Sequence, residues 1–98
     1  MFTVREVFHC KPGRAKDLVA IFRKMAPIMK EMGFSDARIY TDVSGEHYWT
    51  VVFEEDVESI DSLAELSRKT MSDPKVADFF KGYHDFVLDG RREIYKRE

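Results

Sequence analysis

Glu6, the three histidines and a set of aromatic residues are the side chains whose types and spacing bear on chemistry. Glu6 lies in Phe2-Thr3-Val4-Arg5-Glu6-Val7-Phe8 and shares strand parity with Val4 and Phe8. A carboxyl buried in their company has its pKa raised and becomes a general acid or base. The competing reading is an ion pair with Arg38 or Arg92 supplied by another strand. His9, His47 and His84 are predicted to reach one edge of the sheet derived below, and neutral imidazole is a common metal ligand. Side chains alternate across a strand, so the sequence leaves open whether His9 and His47 share the helix side with His84 or face a partner sheet, and no HxH or HExxH spacing is present. The histidines are therefore expected at the surface or the sheet edge, with no metal site. Tyr48, Trp49, Phe79, Phe80 and Tyr83 have the character of an apolar pocket with hydroxyl handles, suited to an aromatic or lipid-like molecule. The same spacings also serve a plain core. Cys10 follows His9 directly, so the two side chains point to opposite faces and form no Cys–His nucleophile.

The elements that must position these residues follow from periodicity. Residues 2–10 read as a strand with large apolar groups on both parities: Phe2, Val4 and Phe8 on one, Val7 on the other. Lys11-Pro12-Gly13 stops it. Residues 13–32 read as a helix, with Leu18, Phe22, Met25, Met29 and Met32 forming one stripe. Pro27 falls inside this helix and predicts a kink near Arg23 to Pro27, and Gly33 is placed to end it. Residues 36–42 and 47–55 read as a hairpin, and 57–85 as one or two helices, with Asp73-Pro74 starting the second. Asp89-Gly90 is expected to turn the chain into a last strand over 91–96. The order is β-α-β-β-α-β. With right-handed crossovers it gives an α+β, ferredoxin-like architecture, a four-stranded antiparallel sheet with the helices on one face.

Length and composition bound the rest. The chain has 98 residues, 44% hydrophobic and 35% charged, which suits one compact domain over 1–98. Sixteen basic and eighteen acidic groups leave a formal charge of −2, against a nucleic-acid partner. The single cysteine allows no internal disulfide and no thiolate cluster. No apolar run suits a membrane span, and no signal peptide opens the chain, so the expected location is cytoplasmic. Because Trp49, Val51 and Phe53 oppose Tyr48 and Val52, the sheet face without helices is expected to be apolar and to pack on a second copy.

Lys11-Pro12-Gly13-Arg14-Ala15, Met25-Ala26-Pro27-Ile28-Met29 running to Met32-Gly33-Phe34, Val43-Ser44-Gly45, and Gly90-Arg91-Arg92-Glu93-Ile94-Tyr95 resemble the dimeric α/β-barrel superfamily over nearly the whole chain. They are most similar to small NIPSNAP-like and stress-responsive barrel proteins. The resemblance implies a barrel-like homodimer joined through the sheet face, with a pocket between helices and sheet in each subunit. Active members of the superfamily hold an oxidisable aromatic or haem substrate with a first-strand asparagine, a tryptophan and often a histidine. This chain has no asparagine. Glu6 stands where that asparagine would point, Trp49 is in a strand instead of a helix, and only His84 occupies a comparable helical position. The expectation is a protein that binds a small apolar or aromatic molecule without a resident cofactor. The alternative is a cofactor-independent monooxygenase or related small enzyme using Glu6, His84 and nearby tyrosines.

Overall fold

The computed structural model describes residues 1–98. Strand β1 (Phe2–Cys10) is followed by helix α1 (Ala15–Met32), strands β2 (Arg38–Thr41) and β3 (Thr50–Val57), helices α2 (Ile60–Ser72) and α3 (Pro74–Phe79), a 3₁₀ turn (Tyr83–Asp85) and strand β4 (Val87–Lys96). The strands form one antiparallel sheet in the order β2-β3-β1-β4. This is the ferredoxin-like α+β arrangement. No helix is long and apolar enough to cross a membrane.

The core lies between the helices and one sheet face. Val4 and Cys10 of β1 and Val51, Phe53 and Val57 of β3 meet Leu18, Phe22, Met25 and Met29 of α1, Leu63 of α2 and Val76 of α3. The residues of the α1 stripe therefore do what their spacing predicted, except that Met32 remains only half-buried. The helix runs unbroken past Pro27, which leaves the Arg23 carbonyl without its helical donor. Gly33 ends it in the left-handed region at φ 115°; its N–H donates to the Lys30 carbonyl and that of Phe34 to the Met29 carbonyl, a Schellman closure. Ser59 caps α2 through the Ser62 N–H, and Asp73 caps α3 through the Lys75 N–H with Pro74 at the first position.

Two strands, β3 and β4, depart most from the bounds read in the sequence. β3 begins at Thr50 and runs on to Val57, so His47, Tyr48 and Trp49 belong to the hairpin loop. Trp49 adopts φ 61°, a left-handed conformation costly for a bulky residue, which breaks the alternation just before the strand. β4 begins at Val87, and Asp89-Gly90 lies within it as the partner of His9 and Phe8 instead of forming a turn. Glycine is required there by close approach: a Cβ on Gly90 would stand 2.8 Å from the Val7 carbonyl oxygen.

The sheet face without helices is not the apolar patch expected. Trp49 and Tyr48 have left the strand, while Val51 and Phe53 point to the helices. What remains is Val7 and Val52 with the half-exposed Tyr40 and Tyr95, among charges. Arg5 donates to Glu54 at 2.6 Å, Arg38 bridges Glu54 at 3.2 Å and Asp56 at 3.1 Å, and Thr3 donates to Asp56. The Arg5 guanidinium also lies 5.4 Å from the centre of the Tyr95 ring. The Arg38 guanidinium and the Thr3 hydroxyl hold the Asp56 carboxyl below the usual carboxylate range.

Candidate functional site

A cleft of about 490 Å³ opens between the helices and the sheet. Its floor is the inward face of β1 and β3, its walls come from α1, α2 and α3, and the 3₁₀ turn and β4 close one end. Aromatic rings give it shape: Phe22 packs 4.8 Å from Phe53 and 5.4 Å from Phe8, and Tyr83 stands edge-on to Phe80 at 5.3 Å. Met25, Met29 and Val76 complete the apolar lining.

Into this cleft the sheet delivers two carboxyl groups. On β1, alternation sends Glu6 inward beside Phe8, and on β3 it sends Glu55 inward between Phe53 and Val57. Glu6 lies beside Arg92 of β4 and accepts a hydrogen bond from its Nε; the side chains are 24% and 50% exposed, which places this pair at the mouth. Glu55 is only 6% exposed, and its Oε2 is the one buried side-chain polar atom in the structure without a hydrogen-bond partner. Burial, and next the neighbouring Glu6 charge, push the Glu55 carboxyl up to about 7, with Arg92 pulling in the opposite direction. The outcome is a carboxyl able to hold or release a proton near neutrality, in an apolar recess, beside a guanidinium.

The residues singled out in the sequence are divided among several places. Glu6, His84, Phe80 and Tyr83 line the cleft, the His84 ring lying 4.6 Å from that of Tyr83. Phe79 instead packs against the core from the flank of α3. Tyr48 and Trp49 lie outside: they are 88% and 43% exposed and border a separate shallow cleft against Lys16, Val19 and Arg23 of α1. The physical reason is the loop conformation at Trp49, which removes both rings from the strand alternation. His9 and His47 come together, with ring centres 4.1 Å apart and His9 Nδ1 bonded to Asp89. They sit toward the uncovered face, away from His84, so the histidines form no single constellation. Cys10 is buried in the core and burial pushes its thiol up, which leaves it a poor nucleophile.

Glu55 escaped the sequence reading because Glu54-Glu55-Asp56 looks like a solvated acidic run closing the strand. The signal was present in the parity. Glu55 shares its face with Val51, Phe53 and Val57, whereas Glu54 and Asp56 share the other with Val52.

No protein-family model matches this sequence, and neither does any curated protein. The fold has clear counterparts among solved structures. A NIPSNAP family protein of unknown function from Agrobacterium tumefaciens superposes with a TM-score of 0.84 at 20% identity, covering 99% of this chain and 87% of that one. An uncharacterized NIPSNAP domain protein from Burkholderia xenovorans gives 0.82 at 16% identity, covering 100% and 95%. An antibiotic biosynthesis monooxygenase gives 0.74 at 12% identity, covering 100% and 99%. The chain thus has the ferredoxin-like fold of these proteins. At such identities the likeness speaks for architecture, and activity must be argued from the site.

Proposed function

We propose that this protein binds a small, mostly apolar molecule, aromatic or alicyclic, in the cleft between helices and sheet, and that Glu55 supplies the polar contact that orients it. The observation that carries this reading is the orphaned Oε2 of Glu55. A buried polar atom without a partner costs about 1–3 kcal/mol, and a ligand hydroxyl or carbonyl would complete the bond that the fold leaves open. A cleft with mostly hydrocarbon walls and a few converging polar groups is the usual form of a small-molecule site. The test is thermal unfolding with a panel of one- and two-ring aromatic alcohols and ketones. A ligand that binds only the folded state stabilises it, by about 2.7 kcal/mol at a hundred times its Kd. Stabilisation in the wild type that disappears in Ala77→Phe, which narrows the cleft, is expected. No stabilisation by any member of the panel would count against the reading.

The second reading is a cofactor-independent monooxygenase acting on an electron-rich phenol. Glu55 favours it as the group able to accept the phenolic proton, with His84 and Tyr83 lining the same cleft and Glu6 held by Arg92. The likeness to an antibiotic biosynthesis monooxygenase adds to it. It requires phenol-dependent oxygen uptake that Glu55→Gln abolishes, and an absence of uptake across the panel removes it.

The same reading includes association of two copies through the uncovered sheet face. Val7 is already buried there, Tyr40 and Tyr95 are half-exposed, and the Arg5–Glu54–Arg38–Asp56 network presents both signs of charge to a copy of itself. Two-fold pairing needs such self-complementarity.

A further inference from the structure

The cleft holds one unpartnered carboxyl and one guanidinium. Thr70 is committed: its hydroxyl donates to the Leu66 carbonyl at 2.8 Å. Cys10 belongs to the core and does not line the cleft. Arg92 uses its Nε on Glu6, and its terminal amino groups make no further hydrogen bond within the protein. The site therefore combines a base that nothing in the fold satisfies with a fixed positive charge and flat aromatic walls. Those are the parts required to remove a proton from carbon next to a carbonyl and to stabilise the oxyanion that results.

We propose that the cleft is a proton-transfer site for a cyclic, mostly apolar ketone, with Glu55 as the base and Arg92 as the group facing the carbonyl oxygen. This rests on the reading of the cleft as a binding site. The ring lies among Phe22, Phe53 and Phe80. The C–H bond adjacent to the carbonyl breaks, its proton passes to Oε2 of Glu55, and its electron pair forms the carbon–carbon double bond of the enolate as the carbonyl pair moves onto oxygen. The proton then returns from the Glu55 carboxyl to the same carbon or to one conjugated with it. No oxidant, reductant or co-reactant is consumed. Glu6 keeps Arg92 at the mouth through its ion pair, which makes Glu6 a positioning residue.

The charged and titratable groups that line the cleft with Glu55 are Glu6 from β1, Arg92 from β4, and Tyr83 and His84 from the 3₁₀ turn; α1, α2 and α3 contribute residues such as Met25, Thr70 and Val76, none of which titrates. The rate should thus follow ionisation of Glu55, rising with pH through about 7 and levelling above it.

The experiment uses 1-tetralone in deuterated buffer, with exchange at the carbon next to the carbonyl followed by proton NMR and binding followed separately by thermal shift. Wild-type protein is expected to accelerate exchange over buffer and Glu55→Gln to lose about 100-fold or more of that acceleration, the scale of one general base. If Glu55→Gln does not fold, Glu55→Asp is expected to exchange slowly with a pH profile of the same form, and Arg92→Ala to bind 1-tetralone while exchanging it more slowly than wild type. Binding of 1-tetralone with exchange no faster than in buffer overturns the proton-transfer proposal and leaves the binding site intact. Failure of 1-tetralone to bind overturns the proposal together with the ketone-binding cleft on which it rests.

Discussion

Glu55 sets a pH dependence whose sign is fixed by its environment. In the folded protein its carboxyl is raised from 4.5 to about 7, so between those values the folded state keeps a proton that the unfolded chain releases. Stability from this group is fully present below 4.5 and is lost as pH rises through 7, on the order of 3 kcal/mol in all. Glu55→Gln cannot ionise and escapes that loss. Urea unfolding is expected to show the variant gaining on the wild type between pH 4 and pH 8, and equal slopes for the two proteins would refute the buried carboxyl. Asp56 acts in the opposite direction: Arg38 lowers its pKa below 3.8, so its contribution is present above that value and is lost as acid protonates it. Replacing Arg38 with leucine is expected to cost about 1–3 kcal/mol at neutral pH, because Glu54 keeps only Arg5 and Asp56 keeps only Thr3 and the distant Arg97. At this scale the sequence was partly legible. Parity placed Glu6 on the helix side with Arg38 or Arg92 as its partner, and the structure supplies Arg92, while Glu55 was hidden by the acids on either side of it.

The elements were legible wherever periodicity was long. The α1 stripe and its Gly33 stop, the Asp73-Pro74 start of α3 and the strand content of residues 2–10 all follow from local patterns. Departures occur where tertiary contacts override them. Asp89-Gly90 looks like a turn, but β1 recruits it into β4, and the glycine is needed because the Val7 carbonyl passes so close. Gly90→Ala is therefore expected to destabilise the protein by about 2 kcal/mol, the scale of a forced backbone shift. A loss below 0.5 kcal/mol in chemical denaturation would contradict the tight β1–β4 contact. The aromatic run His47-Tyr48-Trp49 looks like strand, but the chain spends it on the hairpin loop, with Trp49 in the left-handed region and its carbonyl still bonded to the Cys10 N–H. Nothing in the spacing signals that turn, and it moved both rings out of the site expected for them.

At the scale of the whole molecule, β-α-β-β-α-β order alone led to the sheet and to the helices on one face, while the cleft between them was implied by the family resemblance. The uncovered face differs from the expectation because Tyr48 lies in the hairpin loop and the positions alongside Val7 and Val52 carry Arg5, Glu54, Arg91 and Glu93. A charged face with two valines and two tyrosines favours pairing that salt weakens. Native mass spectrometry is expected to show a dimer that Tyr40→Asp combined with Tyr95→Asp converts to monomer, and a wild-type monomer at micromolar concentration would remove the paired assembly. Binding and proton transfer in the cleft both turn on the state of Glu55, which can be observed directly. Carbon-detected NMR of glutamate-labelled protein, titrated with and without 1-tetralone, should give Glu55 a midpoint near 7 that moves when the ketone binds. A Glu55 midpoint at the ordinary 4.5, unchanged by the ketone, would contradict both the buried acid and the cleft it faces.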